Sequence, residues 1–104
     1  MKLLAAAIAV IAFSSAAAAA DRPVEIFATS RGEVRITPIR HASMMIEAGG
    51  KVIFVDPWSE GSFDGLPQAD LILLTDIHGD HFDTKAIAKV KKAETDIIAP
   101  PVVA

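Results

Sequence analysis

Cysteine is absent from the 104 residues of this chain. The chain therefore contains no disulfide, and neither a cysteine nucleophile nor a cysteine metal ligand is available to it. Small exported domains often use disulfides to compensate for a thin hydrophobic core, so a fold of this size must rely on packing alone. Histidine is scarce as well, with three residues in the whole sequence.

Positive charge is also in short supply, since 10 Lys and Arg residues face 13 Asp and Glu residues and give a net charge of −3. The basic residues form no cluster along the chain. Affinity for nucleic acid rests largely on neutralising phosphates with such clusters, and an acidic membrane surface makes the same demand. The composition therefore excludes both as partners and favours a small-molecule substrate; it says nothing of oligomeric state.

A long apolar run occurs only at the N-terminus, in residues 1–20, "MKLLAAAIAVIAFSSAAAAA". A positive start at Lys2, an apolar stretch over residues 3–13 and small residues up to Ala20 form the layout of a secretory signal peptide. The stretch is shorter than the roughly 20 apolar residues that span a bilayer. We expect cleavage after Ala20, export to the periplasm or medium, no later membrane attachment, and a folded part at 21–104; an uncleaved anchor is the alternative.

The folded part begins with strand patterns. Residues 33–39 alternate apolar and polar side chains, although Pro38 weakens a strand there. Two further apolar runs, 43–47 and 52–55, flank Gly49-Gly50, which tolerates the positive φ angles of a tight hairpin turn. Residues 59–68 are rich in Gly, Ser, Asp and Pro and predict a loop.

A strand, loop, helix and strand follow. The unbroken apolar run 70–75 is typical of a strand buried on both faces. Asp83 and Thr84 are good helix caps, and apolar residues up to Ala93 then recur at helical spacing. Residues 96–99 begin another strand. We therefore predict an α+β fold in which a β-hairpin meander precedes a β-loop-α-β unit.

The loop "LILLTDIHGDHFD" holds a group of metal-competent side chains between the buried strand and the helix: Asp76, His78, Asp80 and His81. Residues two apart on an extended chain share a side, and Gly79 permits a turn that brings the later pair round. A divalent ion held here would lower the pKa of bound water from about 15.7 to about 7. A solvated turn with a helix cap is the simpler interpretation.

The same residues resemble a known family. "LLTDIHGDHFD" resembles the T-H-x-H-x-D-H metal motif of the metallo-β-lactamase superfamily. "IRHASMMIEAGGKVIFVDPW" is similar to the segment that precedes it in the branch of ascorbate-lactonase-like hydrolases. The similarity covers about Val34 to Pro100. It implies an αββα sandwich of two mixed sheets, of which this chain holds the N-terminal part, and a hydrolase using one or two divalent ions.

By this resemblance, His78 is a ligand of the first metal, while Asp80 and His81 hold the second. Asp80 is also implied as a catalytic residue that orients or deprotonates bound water. Asp76 stands where the family usually has histidine, and the added negative charge makes the site harder. Zinc remains the favoured ion, with iron or manganese as alternatives.

Two further residues are assigned more loosely. The histidine of the His-Ala-Ser step, His41, is implied to lie at the site mouth, and Asp56 could orient a ligand histidine from behind. Each could equally be an ordinary strand-end residue. Asp83 is expected to be a helix cap, and Thr75 to be structural.

After His81 the sequence has no histidine, whereas the family takes further ligands from downstream. We expect the chain to be a fragment or truncated product that folds poorly and is inactive alone. Two alternatives remain: a non-catalytic binding module on the same fold, in which Asp76 marks a lost first metal site, and a small periplasmic protein that resembles only the motif region. The sequence favours no particular substrate.

Overall fold

The computed structural model describes residues 22–104, so the predicted signal peptide lies outside the described residues. Six strands and one helix occur in that part of the chain. They are β1 (Glu25–Thr29), β2 (Gly32–Arg40), β3 (Ser43–Ala48), β4 (Lys51–Val55), β5 (Ala69–Leu73), α1 (Thr84–Val90) and β6 (Lys91–Ile98). The strands form one sheet in chain order, from β1 to β6.

The first four strands form an antiparallel meander. The predicted hairpin is confirmed as β3 and β4, with Ala48 paired to Lys51. Gly49 and Gly50 between them have φ angles of 56° and 76°. Two consecutive positive φ angles characterise the type I′ turn, whose twist matches that of the flanking strands.

Strand β2 passes through Pro38, where the register against β3 shifts before Arg40. A bulge is one of the few places where a sheet accepts proline, because no ladder hydrogen bond is then lost. Strand β1 was not predicted. All of its side chains are exposed, including Ile26 and Phe27 at 51% and 52%, so it shows no burial pattern and forms by pairing with β2.

The second half of the sheet is parallel, since β4 pairs with β5 and β5 with β6 in the same direction. The predicted order of strand, loop, helix and strand is therefore correct. Because parallel strands end at the same edge, the loops after β4 and β5 lie side by side there. A backbone hydrogen bond of 2.9 Å from Asp56 N to Leu73 O joins those two strand ends.

The end of the helix differs from the prediction. Helix α1 ends before Ala93, and Lys91 is already extended, with φ −75° and ψ 140°. Lys91 instead pairs with Ala69 of β5, and the Thr95 hydroxyl donates to the Ala69 carbonyl over 2.7 Å. Pairing with the neighbouring strand prevails over the helical spacing of the apolar residues.

The hydrophobic core lies between the central strands, α1 and the loop after β4. Phe54 and Ile72 have no exposed surface, and the Phe63 ring lies 5.8 Å from that of Phe54. The buried set is Met45, Phe54, Phe63, Ala69, Ile72, Leu74, Ala86 and Val90. The α+β prediction is confirmed as a mixed sheet with one helix, whereas the two-sheet αββα sandwich stays a prediction. No helix within residues 22–104 is long and apolar enough to cross a membrane.

Candidate metal centre

The predicted site lies at the edge where β4 and β5 end. Asp56 directly follows β4, and the segment Thr75–His81 follows β5. The Asp56 carboxylate is 1% exposed and accepts a hydrogen bond from Thr75 N (2.7 Å), one from the Thr75 hydroxyl, and one from His81 Nδ1 (2.7 Å). A buried carboxylate with three donors is well compensated for the loss of water.

The orientation of His81 follows from that contact. Since Nδ1 donates to Asp56, the ring presents Nε2 on its other side, 3.7 Å from Asp80 Oδ2. Two ligands of a tetrahedral zinc ion, each about 2.0–2.1 Å from it, lie roughly 3.3 Å apart. The Asp80 and His81 donors are therefore close to the spacing that one cation requires. A carboxylate behind a histidine is the usual way proteins fix the tautomer of a metal-binding imidazole.

The hydrogen bond from His81 to Asp56 raises the pKa of the His81 imidazole above its ordinary value, and burial of the ring opposes that effect. A protonated imidazole cannot bind a metal, so metal binding at Nε2 competes with protonation of the ring.

His41 lies at the mouth of this site. Its Nδ1 is 3.8 Å from Asp80 Oδ2, its ring centroid is 4.7 Å from that of Trp58, and its side chain is 58% exposed. His41 and Asp56 have φ angles of 50° and 44°, the two positive values among the non-glycine residues that the structure describes. Such backbone conformations cost energy and are concentrated at functional sites.

The other two predicted ligands are arranged differently. Asp76 and His78 hydrogen-bond each other, with 2.9 Å between Oδ2 and Nδ1, and their side chains are 43% and 76% exposed. The hydrogen bond with His78 holds the pKa of Asp76 below its ordinary value. A 2.6 Å hydrogen bond from Ile77 N makes the second-largest contribution in the same direction. This contact leaves His78 Nε2 open, but it would have to break before both side chains could share one cation.

The four predicted ligands thus form two groups, Asp80 with His81 and Asp76 with His78. Across residues 22–104, no three histidine or carboxylate side chains come together as a metal cluster. The backbone nevertheless turns as Gly79 suggested, because His81 N and Phe82 N both donate to the His78 carbonyl, over 2.9 and 2.8 Å.

Asp83 caps helix α1, as expected, and has a second set of contacts. Its Oδ1 accepts from the backbone of Lys85 and Ala86, at 3.0 and 3.3 Å. Its Oδ2 accepts from Ser59 N and Ser59 Oγ, at 2.9 and 2.6 Å. The bonds from Ser59 contribute most to a pKa of Asp83 below its ordinary value. Asp83 therefore joins the helix behind the motif to the loop after β4.

Three residues of this network were not identified as site residues from the sequence: Ser43, Ser59 and Thr75. Ser43 is buried, and its hydroxyl donates to the Asp56 carbonyl over 2.5 Å. Thr75 was predicted to be merely structural, yet it donates twice to Asp56. The position of Thr75 after a strand and directly before the motif could have identified it as a site residue. No sequence feature of Ser43 or Ser59 indicated such a role.

A buried carboxylate behind a histidine, at the ends of parallel strands, is an arrangement that proteins use to orient metal-binding imidazoles. Residues 35–104 match the family model of the beta-lactamase superfamily domain, and the chain belongs to that family.

Individual relatives agree with this assignment. The chain is 46% identical over 63 residues to a UPF0173 metal-dependent hydrolase of Flavobacterium johnsoniae, covering 54% of this chain and 28% of the relative. It is 38% identical over 87 residues to such a hydrolase of Cupriavidus taiwanensis, covering 73% and 30%.

A solved structure, described as that of a metal-dependent hydrolase from Parabacteroides distasonis, superposes with a TM-score of 0.75 at 43% identity. The match covers 79% of this chain and 38% of the chain in that structure. The chain spans less than a third of the length of the two curated relatives named above.

Proposed function

We propose that this chain supplies the first part of the metal centre of an exported metal-dependent hydrolase that acts on a small molecule. The observation that carries the proposal is the hydrogen bond between buried Asp56 and His81 Nδ1, which leaves His81 Nε2 at 3.7 Å from Asp80 Oδ2. Relatives described as metal-dependent hydrolases support the same activity. Export rests on the signal-peptide pattern of residues 1–20.

In this proposal Asp80 and His81 hold one divalent ion, and His78 with Asp76 holds a second. Zinc is favoured by the imidazole and carboxylate donors, with iron or manganese as alternatives. When bound, such an ion lowers the pKa of a coordinated water and polarises the bond to be cleaved.

The residues of the chain have their own parts in this reaction. Asp56 keeps the proton of His81 on Nδ1, so that Nε2 remains a donor to the ion. Asp80 has a second carboxylate oxygen that can orient a water molecule or accept its proton at the moment of attack.

Metal binding provides the test. We expect isothermal titration with Zn²⁺, on a chain extended to the length of its relatives, to show binding at the Asp80 site that His81→Ala abolishes. His41→Ala is the matched control, because it removes an imidazole from the same mouth without removing a proposed ligand. Equal zinc affinity and stoichiometry in His81→Ala and the unaltered chain would contradict the proposal.

A second candidate, a non-catalytic binding module on this fold, is favoured by the exposed Asp76–His78 pair, whose members bind each other. In that case only the Asp80–His81 site takes up zinc. The stoichiometry decides: one ion per chain, unchanged by His78→Ala, supports the module, whereas two ions, reduced to one by His78→Ala, support the hydrolase.

A further inference from the structure

Arg40, His41 and Trp58 form a wall beside the proposed metal site. Arg40 ends strand β2, His41 follows it, and Trp58 comes from the loop after β4. The His41 ring contacts Trp58 on one side and reaches within 3.8 Å of Asp80 Oδ2 on the other. Any substrate that enters the site past His41 would therefore pass this wall.

The exposed Arg40 side chain lies beside Trp58 within the wall. Its Cζ lies 5.7 Å from the Trp58 ring centroid, and its Nη1 donates to the Glu60 carbonyl over 3.4 Å. An arginine has five N–H donors. Within residues 22–104, Arg40 uses one of them, in the bond to the Glu60 carbonyl. Most of the N–H donors of Arg40 are therefore left for a ligand.

The turn that carries Trp58, residues 58–61, has contacts on two sides. Gly61 N donates to the Trp58 carbonyl over 2.9 Å, and a Cβ atom at Gly61 would lie 2.7 Å from Ile39 Cγ2. The turn is therefore packed against the end of β2 as closely as glycine allows. Ser59 in the same turn is bound by Asp83, at the start of the helix that follows the motif.

We infer that Arg40 binds an anionic group, a carboxylate or a phosphate, on the substrate of the proposed hydrolase. The inference rests on the proposed function for the site itself. A guanidinium can bind such a group through two parallel hydrogen bonds, which fixes the position of the ligand as well as attracting it. Arg40 also places a positive charge beside Trp58, which contacts His41. His41 in turn lies 3.8 Å from the carboxylate of Asp80, which would otherwise repel an anion.

Trp58 makes the inference testable, because it is the single tryptophan of the chain and gives one indole N–H signal in a ¹⁵N NMR spectrum. The zinc-loaded chain is titrated with benzoate, with phenyl phosphate and with the neutral benzamide. We expect a saturable shift of the Trp58 signal with one or both anions, and binding of benzamide at least tenfold weaker, as the loss of a charge-assisted hydrogen bond implies.

The decisive variant is Arg40→Gln, which keeps a polar, though shorter, side chain and removes the charge. It should weaken binding of the anion about tenfold, while Arg31→Gln, a control in the turn between β1 and β2, leaves binding unchanged. Backbone amide signals away from residues 58–61 check that both variants keep the fold.

Several results would overturn the inference: equal binding in Arg40→Gln, equal binding of benzamide, or no shift with either anion. Zinc titration of the same samples separates this inference from the proposed function. Zinc binding without an Arg40-dependent anion response refutes the anion site alone. An Arg40-dependent response of the metal-free chain, in a sample that takes up no zinc, supports the anion site and refutes the metal centre.

Discussion

The two halves of the motif loop differ in how they are held. In the oriented half, Asp80 and His81, the His81 side chain is 26% exposed and is bound from behind by buried Asp56. In the exposed half, Asp76 and His78, the His78 side chain is 76% exposed and contacts Asp76 of the same loop. Both halves contain one aspartate and one histidine, so residue type does not explain the difference.

The difference lies in what stands behind each imidazole. His81 contacts a residue 25 positions away that the sheet brings to it, whereas the partner of His78 is two positions away on the same loop. A long-range, buried partner fixes a ring in the folded state, while a local, exposed pair is free to rearrange. The fold therefore fixes the His81 ring, whereas the Asp76–His78 contact would have to break before both side chains could share the ion proposed for them.

The largest expected effect comes from Asp56→Ala. It leaves Thr75 N, the Thr75 hydroxyl and His81 Nδ1 without their acceptor, and breaking a buried charged network costs about 3–5 kcal/mol of unfolding free energy. Asp76→Ala, the matched control in the exposed half, should cost much less, because exposed pairs contribute little to stability. Urea denaturation at neutral pH measures both. Similar losses for the two variants would remove the distinction between the halves.

A second test uses the two glycines on either side of the site. Gly61→Ala places a Cβ atom 2.7 Å from the stiff, β-branched Ile39, and should cost about 1–3 kcal/mol through overpacking. Gly79, between the two halves of the motif, has no atom within 4 Å of an added Cβ, so Gly79→Ala should change stability little. The melting temperatures of the two variants give the comparison. A larger decrease in melting temperature for Gly79→Ala than for Gly61→Ala would show that the motif loop is tightly packed around Gly79.

The smallest effect is predicted for Asp83→Ala, which removes the cap of α1 and the link to Ser59, at a cost of about 1 kcal/mol. The pKa of Asp83 is lower in the folded than in the unfolded chain. Its stabilisation is therefore fully present above the unfolded value of about 3.9 and is lost as pH falls through the folded pKa.

The destabilisation caused by Asp83→Ala should accordingly shrink between about pH 4 and the lower folded value. Unfolding curves recorded at pH 7 and at pH 3 or below measure this change. The exposed Asp64, paired with Lys89 at 3.8 Å, gives the control variant Asp64→Ala. A destabilisation by Asp83→Ala that stays constant down to pH 2 would mean that the Asp83 charge contributes nothing to the cap.

Much of this arrangement could be predicted from the sequence because the signals are local. Gly49-Gly50 predicted the hairpin, and the apolar run before Thr75 placed the motif between a strand and a helix. Strand β1 could not be predicted, since its exposed side chains carry no burial pattern.

The partner of His81 was harder to identify. Asp56 and Thr75 meet because Val55 pairs with Leu73 in the parallel register of β4 and β5, and no local pattern encodes that register. The difference between the two halves of the loop was hidden for the same reason.

The parallel pairing of β4 with β5 also bears on the order of folding. Parallel strands cannot be joined by a tight turn, and residues 56–68 form the long connection here. Closing such a connection is slower than forming the local hairpins of the meander. The His81 ring can reach its carboxylate only after that closure. A newly made chain would therefore acquire its oriented imidazole late, so that metal uptake at the proposed site would report the joining of β4 to β5 rather than formation of the meander.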